Sequence, residues 1–121
     1  MPADTIRFVS FFLQQAEAQR AADWHPATDV YRTRDGWLLK FELAGVYPED
    51  IELTVLGQAL RVRGMRRDSC RGEECRQVRM EIAYNRFERL VELPEDLEFT
   101  RIETEFRHGM LFVRIHREPR A

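Results

Sequence analysis

The pair His108-Gly109 stands between two runs of alternating residues, and it restricts the fold more than any other stretch of the chain. A two-residue hairpin turn of type I′ requires φ > 0 at both central positions. Glycine adopts that conformation freely, and histidine is among the residues enriched there. Placing the turn fixes the register: Arg107 faces Met110, Phe106 faces Leu111, Thr104 faces Val113 and Ile102 faces Ile115. One face of the hairpin then carries Ile102, Thr104, Phe106, Leu111, Val113 and Ile115. The other face is mostly polar, with Glu103 opposite Arg114. A one-residue slip would move the apolar set into water, so the stretch is expected to be a hairpin with one buried face.

The same period of two recurs from Pro26 onward, broken by Gly, Pro and Asp. Residues 28–32 form a short candidate strand. Trp37, Leu39, Phe41 and Leu43 alternate with Lys40 and Glu42 between Gly36 and Gly45. Ile51, Leu53 and Val55 alternate with Glu52 and Thr54 and stop at Gly57. Leu60 and Val62 alternate with Arg61 and Arg63. Phe87, Val91 and Leu93 share a face on which Arg89 intrudes, and Pro94 closes that run. Short strands at intervals of about 8–12 residues, with turn signals between them, predict an all-β, immunoglobulin-like antiparallel sandwich.

Length and composition limit what such a domain does. The chain has 121 residues, 44% hydrophobic and 33% charged, enough for one core with a solvated surface. A net charge of −2 argues against a nucleic-acid partner. No apolar run reaches the roughly 18 residues of a membrane-spanning helix, and no secretory signal pattern is read at the start. Cys70 and Cys75, spaced C-x4-C, are expected to be reduced thiols of a cytoplasmic protein, the alternative being a disulfide that stiffens their loop or links subunits. His25, His108 and His116 are scattered, so no metal site and no catalytic constellation is expected, and no phosphate-binding glycine loop calls for a cofactor.

Two stretches fall outside the sandwich pattern. Residues 4–23 contain no Gly or Pro, and Ile6, Val9, Leu13 and Ala16 follow a helical spacing, with Phe8, Phe11 and Phe12 widening the apolar stripe. A helix apolar around much of its girth does not stay exposed in a monomer, so residues 1–24 are expected to be a partly helical arm that contacts other chains. Residues 66–79 are long and strongly charged for a loop in a compact domain. Such loops are functional or disordered.

Several segments, taken in order, resemble the small heat-shock proteins, the α-crystallin family. Trp24-His25-Pro26 and Asp29-Val30-Tyr31 are similar to the family's opening W-x-P…D-[IV]-Y. Residues 43–53, LAGVYPEDIEL, resemble L-P-G-V-x-x-E-D-I-x-[LV]. Leu60-Arg61-Val62-Arg63-Gly64 follows at the expected place, and Tyr84-Asn85-Arg86-Phe87-Glu88-Arg89 leads into Leu93-Pro94 as in Y-G-x-F-x-R…L-P. The hairpin lies over the family's A-x-x-x-N-G-V-L signature, with Thr104, His108 and Met110 replacing the Ala, Asn and Val.

The resemblance implies an ATP-independent holdase that binds partly unfolded client proteins and prevents their aggregation. It implies a domain over residues 25–116 and a short tail over 117–121. It implies a homodimer in which the loop bearing Arg66, Arg67, Asp68, Cys70, Cys75, Gln77 and Val78 crosses to a partner's Asp29, Val30, Tyr31 and Arg32. Gln77 stands where the family often has an aromatic residue, which would loosen that exchange. Arg89 matches the family's dimer-region arginine, and a carboxylate partner is expected for it. A groove between strand edges, formed by Ile51, Leu53, Val55, Ile102, Thr104 and Phe106, would receive an I-x-I segment or a client. The arm, through Ile6, Phe8, Val9, Phe11, Phe12 and Leu13, would contact clients. The tail carries no I-x-I, so a dimer or small homo-oligomer is expected, with other small heat-shock proteins as further partners. Two alternatives are a CS-domain-like co-chaperone adaptor and a regulatory subunit that co-assembles with longer relatives.

Overall fold

The hairpin forms in the expected register. Thr100–Arg107 pairs with Met110–Arg117, with Phe106 opposite Leu111, Thr104 opposite Val113 and Ile102 opposite Ile115. His108 and Gly109 both have positive φ, at 53° and 75°, as a type I′ turn demands. The computed structural model describes residues 7–8, 22–68, 70 and 74–118. In chain order the strands are β1 (Arg7–Phe8), β2 (Thr28–Arg32), β3 (Gly36–Glu42), β4 (Ile51–Leu56), β5 (Ala59–Arg66), β6 (Asn85–Glu92), β7 (Thr100–Arg107) and β8 (Met110–Arg117), with a 3-10 turn at Pro48–Asp50.

Two four-stranded sheets result, ordered β1-β4-β5-β6 and β2-β3-β8-β7. Their ladders are antiparallel apart from β1 beside β4. Period two explains the packing. On β3, Trp37, Leu39 and Phe41 are buried, as are Leu111, Val113 and Ile115 on β8. From the other sheet Ile51, Leu53, Leu60, Val62 and Phe87 join the same core. Each large apolar side chain contributes about 1.5–3 kcal/mol when fully buried. On β7 the apolar face is only half-buried, because β7 is an edge strand with a neighbour on one side. Gly64 on β5 shows how closely the backbones approach: a Cβ there would lie 1.9 Å from the Asp50 carbonyl oxygen.

Two corrections to the sequence reading concern local pattern. At Arg7–Phe8 the expected helix is absent, and the chain is extended against Glu52 and Leu53 of β4. An open strand edge offers backbone partners that outcompete a weak helical preference. Ile6, Val9, Phe11, Phe12 and Leu13 lie outside the described residues. Arg61, placed by alternation on a polar face, is buried, with Glu88 at 3.8 Å. A charge taken out of water needs such a counter-charge.

Polar ties fasten the end of β8. Arg117 donates two hydrogen bonds to Glu95, at 2.9 and 2.8 Å, and Trp37 Nε1 donates to the same carboxylate at 3.0 Å. These bonds, chiefly those from Arg117, hold Glu95 below its ordinary pKa. His116 bridges Asp35 at 3.0 Å and Glu103 at 2.9 Å. Its pKa is raised, first by Asp35 and then by Glu103, and that of Asp35 is lowered by His116. The histidine's contribution is therefore complete below its ordinary value near 6.5 and is lost as pH rises through the folded value. The aspartate's is complete above 3.8 and is lost as pH falls through its folded value. Thermal unfolding of the unmodified chain and of His116→Gln should differ most between about pH 4 and pH 6.5, and converge toward pH 9.

Candidate functional site

The long connection between β5 and β6 divides into a fixed root and an exposed return. At the root, Arg66 donates to the carbonyl of Ala83 at 2.8 Å and to that of Ala44 at 2.9 Å, and its guanidinium lies 4.1 Å from the Trp24 ring centroid. Arg67 forms a two-pronged pair with Asp50 at 2.9 and 2.7 Å, which raises its pKa. Arg66 and Arg67 are thus held by their own protomer. Arg66→Ala removes two charge-assisted hydrogen bonds and a stacked ring, and should cost about 1–3 kcal/mol in denaturant unfolding. Arg66→Lys should not restore it, because an ammonium lacks the planar fork.

The two cysteines overturn another expectation. Cys70 and Cys75 are joined in a disulfide, with Cα atoms 6.8 Å apart. A Cα separation of this size lies at the upper end of what a disulfide spans, so two cysteines five positions apart are within bridging reach here. The cysteines accordingly lend no support to a cytosolic location.

Beyond the disulfide the chain alternates again. Val78, Met80 and Ile82 are 92, 48 and 62% exposed, while Arg79 and Glu81 pair with each other at 3.9 Å. This is the pattern of a strand, yet no strand is assigned over residues 76–83. The sequence reading carried the expected exchange loop to Val78, and the alternation continues through Ile82. Across the molecule, β2 is an outer strand of its sheet, hydrogen-bonded to β3. Val30 and Tyr31 are 44 and 45% exposed on it, and Lys40 sits 4.9 Å from the Tyr31 ring centroid.

The remaining edges are treated differently. Asp23 and Trp24 donate backbone hydrogen bonds to the Arg86 carbonyl, and Glu88 donates to that of Trp24. Trp24 packs on Phe87 with ring centroids 5.2 Å apart. This segment therefore covers the start of the β6 edge, and β1 covers part of the β4 edge. Val55 on β4 and Ile102 and Phe106 on β7 pack half-buried against the core, Ile51 and Leu53 are fully buried in it, and Thr104 is half-buried. Arg89 is exposed on β6, opposite Val62, and the expected carboxylate partner is not found among the described residues of the single chain. Among the described residues no group of histidine, cysteine, aspartate or glutamate is arranged to hold a metal ion, and no helix is long and apolar enough to cross a membrane.

A sandwich with this strand order and this long β5–β6 connection matches known proteins. The Hsp20/alpha crystallin family model fits residues 29–121. The chain belongs to that family. Its family and fold are those of small heat-shock chaperones, which are not enzymes. The spore protein SP21 of Stigmatella aurantiaca is 30% identical over 94 residues, 78% of this chain and 56% of that protein. Small heat shock protein C2 of Rickettsia felis is 26% identical over 79% of this chain and 62% of its own length. The chain thus matches little more than half the length of these curated relatives. Among solved structures, hspA from Xanthomonas axonopodis is 30% identical, covers 83% of this chain and 100% of that one, and superposes with a TM-score of 0.66.

Proposed function

We propose that this Hsp20-family chain is an ATP-independent holdase that works as a dimer and binds extended, apolar segments of unfolding proteins. The observation that carries the reading is the exposed alternation of Val78, Met80 and Ile82 in a single chain whose β2 edge has no ladder partner among the described residues. An unpaired strand with one apolar face is a liability unless another strand covers it. Residues 76–82 of one protomer laid beside Thr28–Arg32 of another would satisfy both edges, place Val30 and Tyr31 under cover, and bring Arg89 near a second chain. The half-buried apolar residues of β4 and β7 then remain to hold clients. Unfolding proteins expose apolar surface and unpaired strand edges, and these associate unless intercepted. Interception consumes no nucleotide.

The test is light scattering of a heat-labile client warmed with this chain and without ATP. Dose-dependent suppression near equal mass is the expected result. No suppression, with the sandwich still folded by circular dichroism, would contradict the holdase and leave an adaptor or a co-assembling subunit.

A further inference from the structure

The disulfide sets the length of the connection that carries Val78, Met80 and Ile82. That connection starts and ends at fixed points. Arg67 is pinned to Asp50 at one end, and Ala83 is held by Arg66 at the other. Arg66 stands opposite Asn85 in the β5–β6 ladder, so the two ends are neighbours. Between them the chain runs out to Arg76 and returns.

The two arms differ in contour length. From Ala83 back to Arg76 is seven residues, which as a strand reach about 23 Å. From Arg67 out to Arg76 is nine residues, which fully extended reach about 31 Å. The bridge shortens this outgoing arm. It holds the Cα atoms of Cys70 and Cys75 at 6.8 Å, where five free residues would span up to about 17 Å. The bridged arm then reaches about 21 Å, close to the length of the returning strand. Asp68 accepts a hydrogen bond from the Cys70 amide at 3.0 Å and fixes the turn into the ring. A tether whose length matches its span presents its load best, and slack dilutes it. A cross-link also removes states that an open chain gives up on ordering.

We infer that the Cys70–Cys75 bridge is a redox switch on association: bridged, the connection holds residues 76–82 extended for a second copy's Thr28–Arg32, and reduced, it slackens and releases that copy. This rests on the dimer reading above. Both cysteines are exposed, so a small dithiol reaches them. One of its thiolates attacks a sulfur of the bridge, the bond between the two cysteines breaks, and a mixed disulfide forms. Its second thiol then displaces the cysteine. Two electrons and two protons pass to Cys70 and Cys75, and the reductant leaves as its own disulfide.

The test is sedimentation of the full chain over a dilution series, before and after treatment with excess dithiothreitol. A thiol assay on the unfolded chain should find no free cysteine before treatment and both after it; two free cysteines beforehand overturn the inference. The bridged dimer should withstand about tenfold more dilution than the reduced one. A chain with Cys70→Ser and Cys75→Ser should match the reduced chain with or without the dithiol. Equal dissociation of the bridged and reduced chains, a tighter dimer on reduction, or a variant that still responds to the dithiol overturns the inference. Should the variant fail to fold, the unmodified chain decides alone. A dimer that ignores reduction counts against the switch and leaves the dimer reading standing. A monomer in both states counts against the dimer itself, and trypsin then reports on the tether. Cutting after Arg76 and Arg79 should be about tenfold faster once the bridge is reduced, and equal cutting overturns the tether too.

Discussion

Serine at positions 78, 80 and 82 together should turn the proposed dimer into a monomer without unfolding it. The three side chains are largely exposed in the single chain, so their loss should change domain stability by no more than about 0.5 kcal/mol each. In a dimer they would be covered, and covering a large apolar side chain contributes about 1.5–3 kcal/mol. Ordering the loop takes back part of that gain. A net loss of about 3–5 kcal/mol would still weaken association by roughly 150- to 5,000-fold. Sedimentation at micromolar concentration should then show a particle of one 14.4 kDa chain instead of two. An unchanged dimer mass would place the interface elsewhere. A collapse of the thermal transition would mean that these residues pack in their own domain.

The second large effect is on the fold itself. Phe87→Ala should lower the thermal midpoint by at least about 12 °C. Phe87 is 1% exposed, belongs to the central core, and carries Trp24 on its ring. Deleting a buried phenylalanine costs about 3–5 kcal/mol, and in a domain of this size each kcal/mol moves the midpoint by about 4–8 °C. The residues that cover the β6 edge are anchored through Trp24, so the fluorescence of Trp24 should shift to a wetter environment in the same variant. A fall of less than about 4 °C would mean that the site collapses around the cavity, and that Phe87 matters less than its burial implies.

The sandwich was legible because its strands alternate so regularly. His108-Gly109 fixed a turn, the turn fixed a register, and the ladder has that register. What escaped the sequence depended on contacts between distant segments. Arg61 reads as a surface residue by alternation, and only the third dimension buries it beside Glu88. The helical spacing of the arm was real, but the β4 edge offered Arg7–Phe8 a ladder that no local pattern encodes. The disulfide joins Cys70 to Cys75, and their spacing alone did not decide between a bridge and free thiols. Arg66 looked like part of an exchanging loop, whereas its bonds to Ala44 and Ala83 and its stacking on Trp24 place it at the loop's fixed root. For the proposed interaction surface, the sequence reading stopped at Val78, although the period of two that found the core extends through Ile82.

The central claim is that residues 76–82 become a strand only beside a second chain. Amide hydrogen exchange across a dilution series tests it directly. At concentrations where the particle is a dimer, alternate amides between Gln77 and Ile82 and on the outer side of β2 should be protected, and both sets should lose protection together as the dimer dissociates. Exchange at open-chain rates in residues 76–82 while the mass remains dimeric would contradict the account.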